Sequence, residues 1–165
     1  MLTRLWPVDR YVELLGSLLE SGPYRIVLIT GPEDGPVVDP IRARYPECID
    51  TRNLSFGQKA SILRRCRLMV GNDSAPIHIA VALGVPTFSL WGPTNPNRYG
   101  DPAAHHFPIF KKIECSPCYA DGEFPDCRDN ECLKDISAQE VWKKIQTELV
   151  KKLEPALRKT ALPAP

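Results

Sequence analysis

Apolar positions in this chain come in short runs separated by Gly, Pro and Asn, and the runs alternate between a helical and an extended period. Val12, Leu15, Leu18 and Leu19 recur at helical spacing, which predicts a helix capped at Asp9 and ended by Ser21, Gly22 and Pro23. Residues 24–30 form a continuous apolar run bounded by Pro23 and Gly31, as a parallel strand covered on both faces should read. Residues 31–36 are then a loop at its carboxyl end. A short helix completed by residues 40–45 and a short strand over 47–50 follow. Ser55 with Gln58 fits a capping box, so a helix starts there and runs to about Cys66, burying Phe56, Ala60 and Leu63.

The middle of the chain has the clearest pattern. Leu68, Met69 and Val70 make a short strand stopped by Gly71. Asp73 and Ser74 are both good N-caps and Pro76 suits a first helical turn. The helix that begins there carries His78, Ile79, Ala82 and Leu83 on a mixed inner face, and Gly84 supplies the left-handed residue that stops it. Residues 85–91 make the next strand. Residues 92–100, rich in Gly, Pro and Asn, are a shaped loop at its carboxyl end, and Phe107 to Lys111 form an edge strand. A second capping box, Ser137 with Glu140, opens a closing helix over 137–153 with Val141, Ile145 and Leu149 as its buried stripe, flanked by Trp142 and Leu153. Strands alternating with helices predict a single α/β domain over 1–155 with a mostly parallel sheet of four to six strands, and a frayed tail over 156–165.

Composition narrows the function classes. With 165 residues, 43% hydrophobic and 25% charged, the chain has the balance of an ordinary one-domain protein. Twenty-one basic residues against twenty acidic ones give no general case for nucleic acid, so any phosphate site must be local. No run reaches the ~18 apolar residues of a membrane span and the N-terminus lacks a signal core, which makes a cytoplasmic location the default. Residues 134–159 carry seven basic and four acidic side chains, read as a solvated face or, at most, as peripheral contact with an anionic membrane.

Candidate chemistry collects at the start of the middle helix. The first turn of a helix rising from a strand's carboxyl end aims unpaired N–H groups and a partial positive charge into the crevice above the sheet, which favours anions. His78 lies four residues after Ser74, so its ring can reach the side of the cap residues and bond a phosphate or sugar hydroxyl. The alternative is that Asp73 and Ser74 only cap and His78 is a satisfied core histidine.

These residues resemble a known family. Gly71 to His78, with residues 82–86 (Ala-Leu-Gly-Val-Pro) and 92–96 (Gly-Pro-Thr-Asn-Pro), is similar to the donor-binding half of glycosyltransferase family 9, the ADP-heptose:lipopolysaccharide heptosyltransferases. The resemblance runs from Trp6 and Pro7 to the last helix. It implies the C-terminal half of a GT-B fold, a Rossmann-like three-layer domain that binds ADP-heptose for transfer to a lipopolysaccharide core sugar at the inner face of the inner membrane. It places the catalytic base in an N-terminal acceptor domain, on a longer chain or a partner, and requires no cofactor. By resemblance the donor site takes Arg4, two positions before Trp6-Pro7, on the diphosphate; Glu33 on sugar or ribose hydroxyls; Leu54 on the adenine; and Asp73, Ser74, Ala75, His78 and Thr94 around the diphosphate. Each has a plainer reading: a solvated arginine for Arg4, a first-turn acid for Glu33, a staple for Leu54. Ala75 stands where relatives carry a glycine, and Asn95 where they often carry an acid. The wider alternatives are a non-catalytic nucleotide-binding module and an inactive truncated fragment.

The cysteines are a separate question. Cys115, Cys118, Cys127 and Cys132 are spaced C-x2-C-x8-C-x4-C in a loop over 113–133 that also holds Asp121, Gly122, Pro125 and Asp126. Four thiolates could enclose a structural zinc, pair as two disulfides, or stay reduced and shape the loop. Cys48 and Cys66 read as small buried hydrophobes. His105 and His106 are adjacent and point to opposite faces, which argues against a shared metal.

Overall fold

The computed structural model describes residues 4–119, 122–124, 127 and 129–160, the side chains as far as residue 149. Helices and strands alternate: α1 (Val8–Glu20), β1 (Val27–Leu28), a 3-10 turn (Pro32–Asp34), α2 (Gly35–Arg44), β2 (Ile49–Asp50), α3 (Phe56–Leu63), β3 (Met69–Asn72), α4 (Ala75–Ala82), β4 (Thr87–Trp91), α5 (Pro96–Tyr99), β5 (His106–Phe110), α6 (Glu131–Lys134) and α7 (Ala138–Thr160). The pairings among these five strands are all parallel. β4 lies between β3 and β5, with Val70 opposite Phe88 and Phe88 opposite Phe107, while β1 pairs with β2. Among the described residues the single sheet expected from sequence is thus two sheets, one of two strands and one of three.

Alternate strand residues enter two apolar clusters, as the two-residue period requires. Ile26, Leu28, Val70, Phe88 and Leu90 join Leu14, Leu15 and Leu18 of α1, Ile41 of α2 and Val141 and Ile145 of α7. Ile29 and Met69 join Leu63 of α3, Ala80 of α4 and Val85. Helices therefore cover both faces, which is the Rossmann-like three-layer α/β architecture. Trp142 packs against the larger cluster.

Both capping boxes form. The Ser55 N–H donates to Gln58 Oε1 at 2.8 Å and the Gln58 N–H to Ser55 Oγ at 3.4 Å. The Ser137 N–H donates to Glu140 Oε2 at 2.9 Å and the Glu140 N–H to Ser137 Oγ at 3.2 Å. Gly84 takes the expected left-handed conformation, φ 76°, after α4.

Other expectations need correction. Pro7, not Asp9, occupies the N-cap of α1, because Trp6 is fully buried and the helix starts directly behind it; Asp9 sits in the first turn. β1 is two residues long and half-buried, since β2 is its only ladder partner among the described residues and offers only two residues. α2 begins at Gly35, inside the segment read as loop. α3 ends at Leu63, its only buried residue, and Phe56 is 69% exposed because the capped first turn projects into solvent. β3 runs through Gly71 to Asn72. Ile77 packs over Gly71, within 3.4 Å of where a Cβ would stand. α4 buries Ile77, Ala80 and Val81 and exposes His78, Ala82 and Leu83. That helix is apolar nearly all round, so its period does not select a face. β5 starts one residue earlier than read, at His106. α7 continues past residue 153 to Thr160 through a stretch rich in good helix formers. Asp121, Pro125, Asp126 and residues 161–165 lie outside the described residues.

Candidate functional site

The chemistry-bearing residues meet where β3 and β4 end side by side. The Asp73 N–H donates to the Leu90 carbonyl at 3.1 Å, carrying the ladder one residue past β3. This sets the Asp73 carboxylate against the loop after β4, where Thr94 Oγ1 donates to Asp73 Oδ2 at 2.6 Å. Both residues are nearly buried, at 8% and 4% exposed. Arg4 Nη1 lies 3.9 Å from the same oxygen, and His78 Nε2 lies 3.4 Å from Asp73 Oδ1. One carboxylate therefore gathers two basic side chains and a hydroxyl from three separate parts of the chain.

The start of α4 lacks a side-chain cap. Ser74 occupies the N-cap position with extended backbone, φ −161° and ψ 167°, but its hydroxyl donates back to the Asn72 carbonyl at 3.1 Å. Asp73, the other expected cap, holds Arg4, His78 and Thr94 instead. Ala75 is the exposed first helical residue, followed by Pro76, which has no N–H to satisfy. Because Pro76 has no N–H and the Ile77 N–H donates to the Ser74 carbonyl at 3.0 Å, the exposed Ala75 N–H is the first-turn amide left at the helix's partly positive end. His78, with its side chain 46% exposed, is not the core histidine of the alternative reading.

Arg4 is delivered to this point by a clamp that the sequence did not reveal. The Trp6 N–H donates to Asn72 Oδ1 at 2.9 Å, the Trp6 indole N–H to the Ile136 carbonyl at 2.8 Å, and Asn130 Nδ2 to the Leu5 carbonyl at 2.8 Å. Tyr11 packs edge-on to Trp6 at 4.8 Å. Desolvation pushes its phenol up, against hydrogen bonding from the Asn72 backbone and side chain. The Arg4 guanidinium stands over the Phe124 ring at 4.9 Å and keeps 35% of its side-chain surface exposed. Asn72, Asn130 and Phe124 went unread. Asn130 carries a faint signal, because Asn is among the few residues that tolerate its left-handed backbone, φ 33°.

Glu33 is exposed on the 3-10 turn after β1, and Leu54 is half-buried in a turn after β2 closed by its N–H to the Thr51 carbonyl at 2.9 Å. Among the described residues no hydrogen bond or ion pair joins either to the Asp73 cluster. Leu54 has no staple, since Lys59 stands four residues past the Ser55 cap. Thr94 commits its hydroxyl proton to Asp73, so that hydroxyl has no second proton to give a phosphate.

The four loop cysteines are free thiols, Cys132 buried and Cys115 exposed. Among the described residues no three His, Cys, Asp or Glu side chains are arranged to hold a metal ion. Burial, and then the neighbouring cysteines, push the Cys118 and Cys132 thiols up. Cys127 Sγ accepts the Asn130 N–H at 3.2 Å. The loop is tied to the β4 end: Ser116 Oγ donates to the Gly92 carbonyl at 2.6 Å, and the Cys118 and Tyr119 N–H groups share the Pro93 carbonyl at 2.9 Å. Cys48 is buried as read, whereas Cys66 is only partly so. His105 Nε2 bonds the Val81 carbonyl at 2.9 Å, and His106 turns the other way, to Ser89 Oγ at 2.7 Å.

A sequence model described as "Glycosyltransferase family 9 (heptosyltransferase)" matches residues 2–127. Lipooligosaccharide heptosyltransferase 2 of Haemophilus influenzae is 31% identical over 115 residues, 66% of this chain and 33% of that protein. Lipopolysaccharide heptosyltransferase 2 of Escherichia coli is 30% identical over 114 residues, 66% of this chain and 32% of that protein. Among solved structures, E. coli ADP-heptose lps heptosyltransferase II superposes with a TM-score of 0.73 at 22% identity, over 91% of this chain and 43% of that one. The matches thus span about a third of the curated relatives' length.

Proposed function

The chain belongs to glycosyltransferase family 9, and from that premise we propose that it is the C-terminal donor-binding domain of a heptosyltransferase, which takes ADP-heptose and passes the heptose to a lipopolysaccharide core sugar. The observation that carries this reading is the convergence of Arg4 and His78 on Asp73 beside the uncapped start of α4. A further support is the fold shared with a heptosyltransferase described as bound to ADP, with a TM-score of 0.69.

In the transfer, the acceptor hydroxyl forms a bond to the sugar's anomeric carbon as the bond from that carbon to the diphosphate breaks, and the electron pair leaves with the diphosphate. The chain's part is electrostatic. The Ala75 N–H and the partial positive charge at the start of α4, the Arg4 guanidinium and the His78 ring meet the growing negative charge, which fixed donors in a partly buried site do better than water. Asp73 alone would repel a phosphate; its work is to hold Arg4 and His78 in place, and Thr94 fixes Asp73 in turn. Ser74 and Ala75 present backbone to the diphosphate. Glu33 and Leu54, on the loops after β1 and β2, take the sugar or ribose hydroxyls and the adenine. The positive field comes from the protein, so the reading needs no metal ion. The general base that receives the acceptor's proton belongs to an N-terminal acceptor domain, in the part of the relatives that this chain does not match. The reaction so read takes place on the cytoplasmic side, at the inner face of the membrane that carries the acceptor.

Calorimetric titration of the 165-residue chain with ADP and with ADP-heptose tests this. Both should bind, and Arg4→Ala should weaken binding about tenfold, the size of one charge-assisted contact. His78→Ala should weaken it two- to fivefold with little change in melting temperature, since the ring is exposed. An intact chain that binds neither ligand would overturn the reading.

A further inference from the structure

Arg4 is bracketed by two groups of different kinds. On one side stands the Asp73 carboxylate at 3.9 Å; on the other, the face of Phe124 at 4.9 Å. Phe124 belongs to the cysteine-bearing loop, and it is the end of a row of rings: Tyr119 packs on it at 4.5 Å and Tyr99 on Tyr119 at 5.7 Å. Tyr119 is anchored through its N–H to the Pro93 carbonyl, next to Thr94. The same loop holds the Arg4 segment a second time, through Asn130 Nδ2 on the Leu5 carbonyl. The loop therefore holds the Arg4 guanidinium and the backbone of the next residue, Leu5, and it is tied to the strand end that carries Thr94.

At 3.9 Å, with a third of the side chain exposed, the Arg4–Asp73 pair is too long and too wet to fix the guanidinium by itself. A ring face beneath a guanidinium adds attraction and removes alternative rotamers. We propose that Phe124 is a positioning residue for the diphosphate of the donor, acting through Arg4, and that the cysteine-bearing loop belongs to the nucleotide site as the part that presents Phe124. This rests on the donor-site reading above. The ring acts through its face, so any aromatic side chain should serve and a branched aliphatic one of similar bulk should not.

The test is ADP titration of the full chain carrying Phe124→Leu, Phe124→Trp, Arg4→Ala, and the Phe124→Leu/Arg4→Ala pair, with melting curves for each. Phe124→Leu should weaken ADP binding two- to fivefold without lowering the melting temperature, and Phe124→Trp should restore the parent's affinity. Once Arg4 is alanine, Phe124→Leu should change nothing further, because the ring has no guanidinium to hold. Phe124→Leu that binds like the parent while Arg4→Ala weakens binding would overturn this inference and leave the donor site standing. An equal loss from Phe124→Leu with and without Arg4 would overturn it too, since the ring would then act independently. Arg4→Ala with no effect would remove Arg4 from the site, and the role of Phe124 with it.

Discussion

Thr94 closes over Asp73: its hydroxyl donates to Oδ2 across 2.6 Å, joining the loop after β4 to the turn after β3 in a place almost without solvent. The hydroxyl fixes the orientation of the carboxylate, and the carboxylate stands 3.4 Å from His78 and 3.9 Å from Arg4. The partner the structure gives this hydroxyl, read from sequence as a phosphate ligand, is the carboxylate. Thr94→Val keeps the shape and removes the donor. It should lower stability by about 1–3 kcal/mol, the range for leaving a buried charged acceptor short of a bond, in urea unfolding with an unchanged m-value. Thr94→Ser should recover most of it. Val as stable as Thr would mean that the bond orients nothing.

Some of this was legible and some was not, for physical reasons. Ser55 with Gln58, Ser137 with Glu140, and Gly84 are local devices, set by residues at most three positions apart or by one backbone angle, and all form as read. The reach of His78 to the Asp73 side of α4 follows from helical geometry and also holds. The buried face of α4 was misread because apolar residues surround that helix, and Phe56 because a capping box fixes where a helix starts but not which way its first turn faces. The Arg4 clamp was out of reach: Trp6 meets Ile136 across 130 positions and Leu5 meets Asn130 across 125, in segments with no period to read.

Ser89 joins two aromatic residues inside β4 and β5. The Trp91 indole N–H donates to its hydroxyl at 2.5 Å, and the hydroxyl meets His106 Nε2 at 2.7 Å. His106 Nδ1 lies 2.7 Å from the Asp101 carbonyl. A carbonyl needs a proton on Nδ1, which leaves Nε2 to accept from Ser89, and every member is then satisfied. Ser89→Ala strands the indole N–H and the ring nitrogen together, each in the core. The expected loss is about 2 kcal/mol or more, and hence a fall of roughly 4–8 °C in melting temperature. A fall under 1 °C would show that the network adds nothing.

Gly92, just past β4, packs directly against α6. A Cβ there would stand 2.8 Å from Leu133 Cγ and 2.9 Å from Cys132 Sγ, both side chains buried. Gly92→Ala must push α6 outward, and overpacking of this kind costs about 1–3 kcal/mol. Because Cys132 and the anchored Gly92 carbonyl belong to the cysteine-bearing loop's seat, thiol labelling of Cys132 should also speed up in the variant. Cys132→Ala in the same chain should relieve part of the crowding, so the pair should lose less than Gly92→Ala alone. Additive losses would argue against this contact as the cause.

Glu140 links the closing helix to β5 and gives the molecule a pH dependence. Partial desolvation pushes its carboxyl up, but the Ser137 N–H, Lys111 and the Ser137 hydroxyl together outweigh that and hold it down at about 2. Lys111 Nζ stands 2.9 Å from Oε1. A carboxyl depressed in the folded state contributes stability that is complete above its unfolded value, about 4.3 for a free glutamate, and that drains away as pH falls toward the folded value. Glu140→Gln keeps a cap for the Ser137 N–H but cannot pair with Lys111. At pH 7 the variant should melt about 1–3 °C below the parent, a modest gap because the pair is half exposed. Between pH 4.5 and 2 the two melting curves should converge, since the parent alone is losing this contribution. A gap that stays constant across that window would place the effect of the substitution in the hydrogen bond to Ser137 and not in the charge.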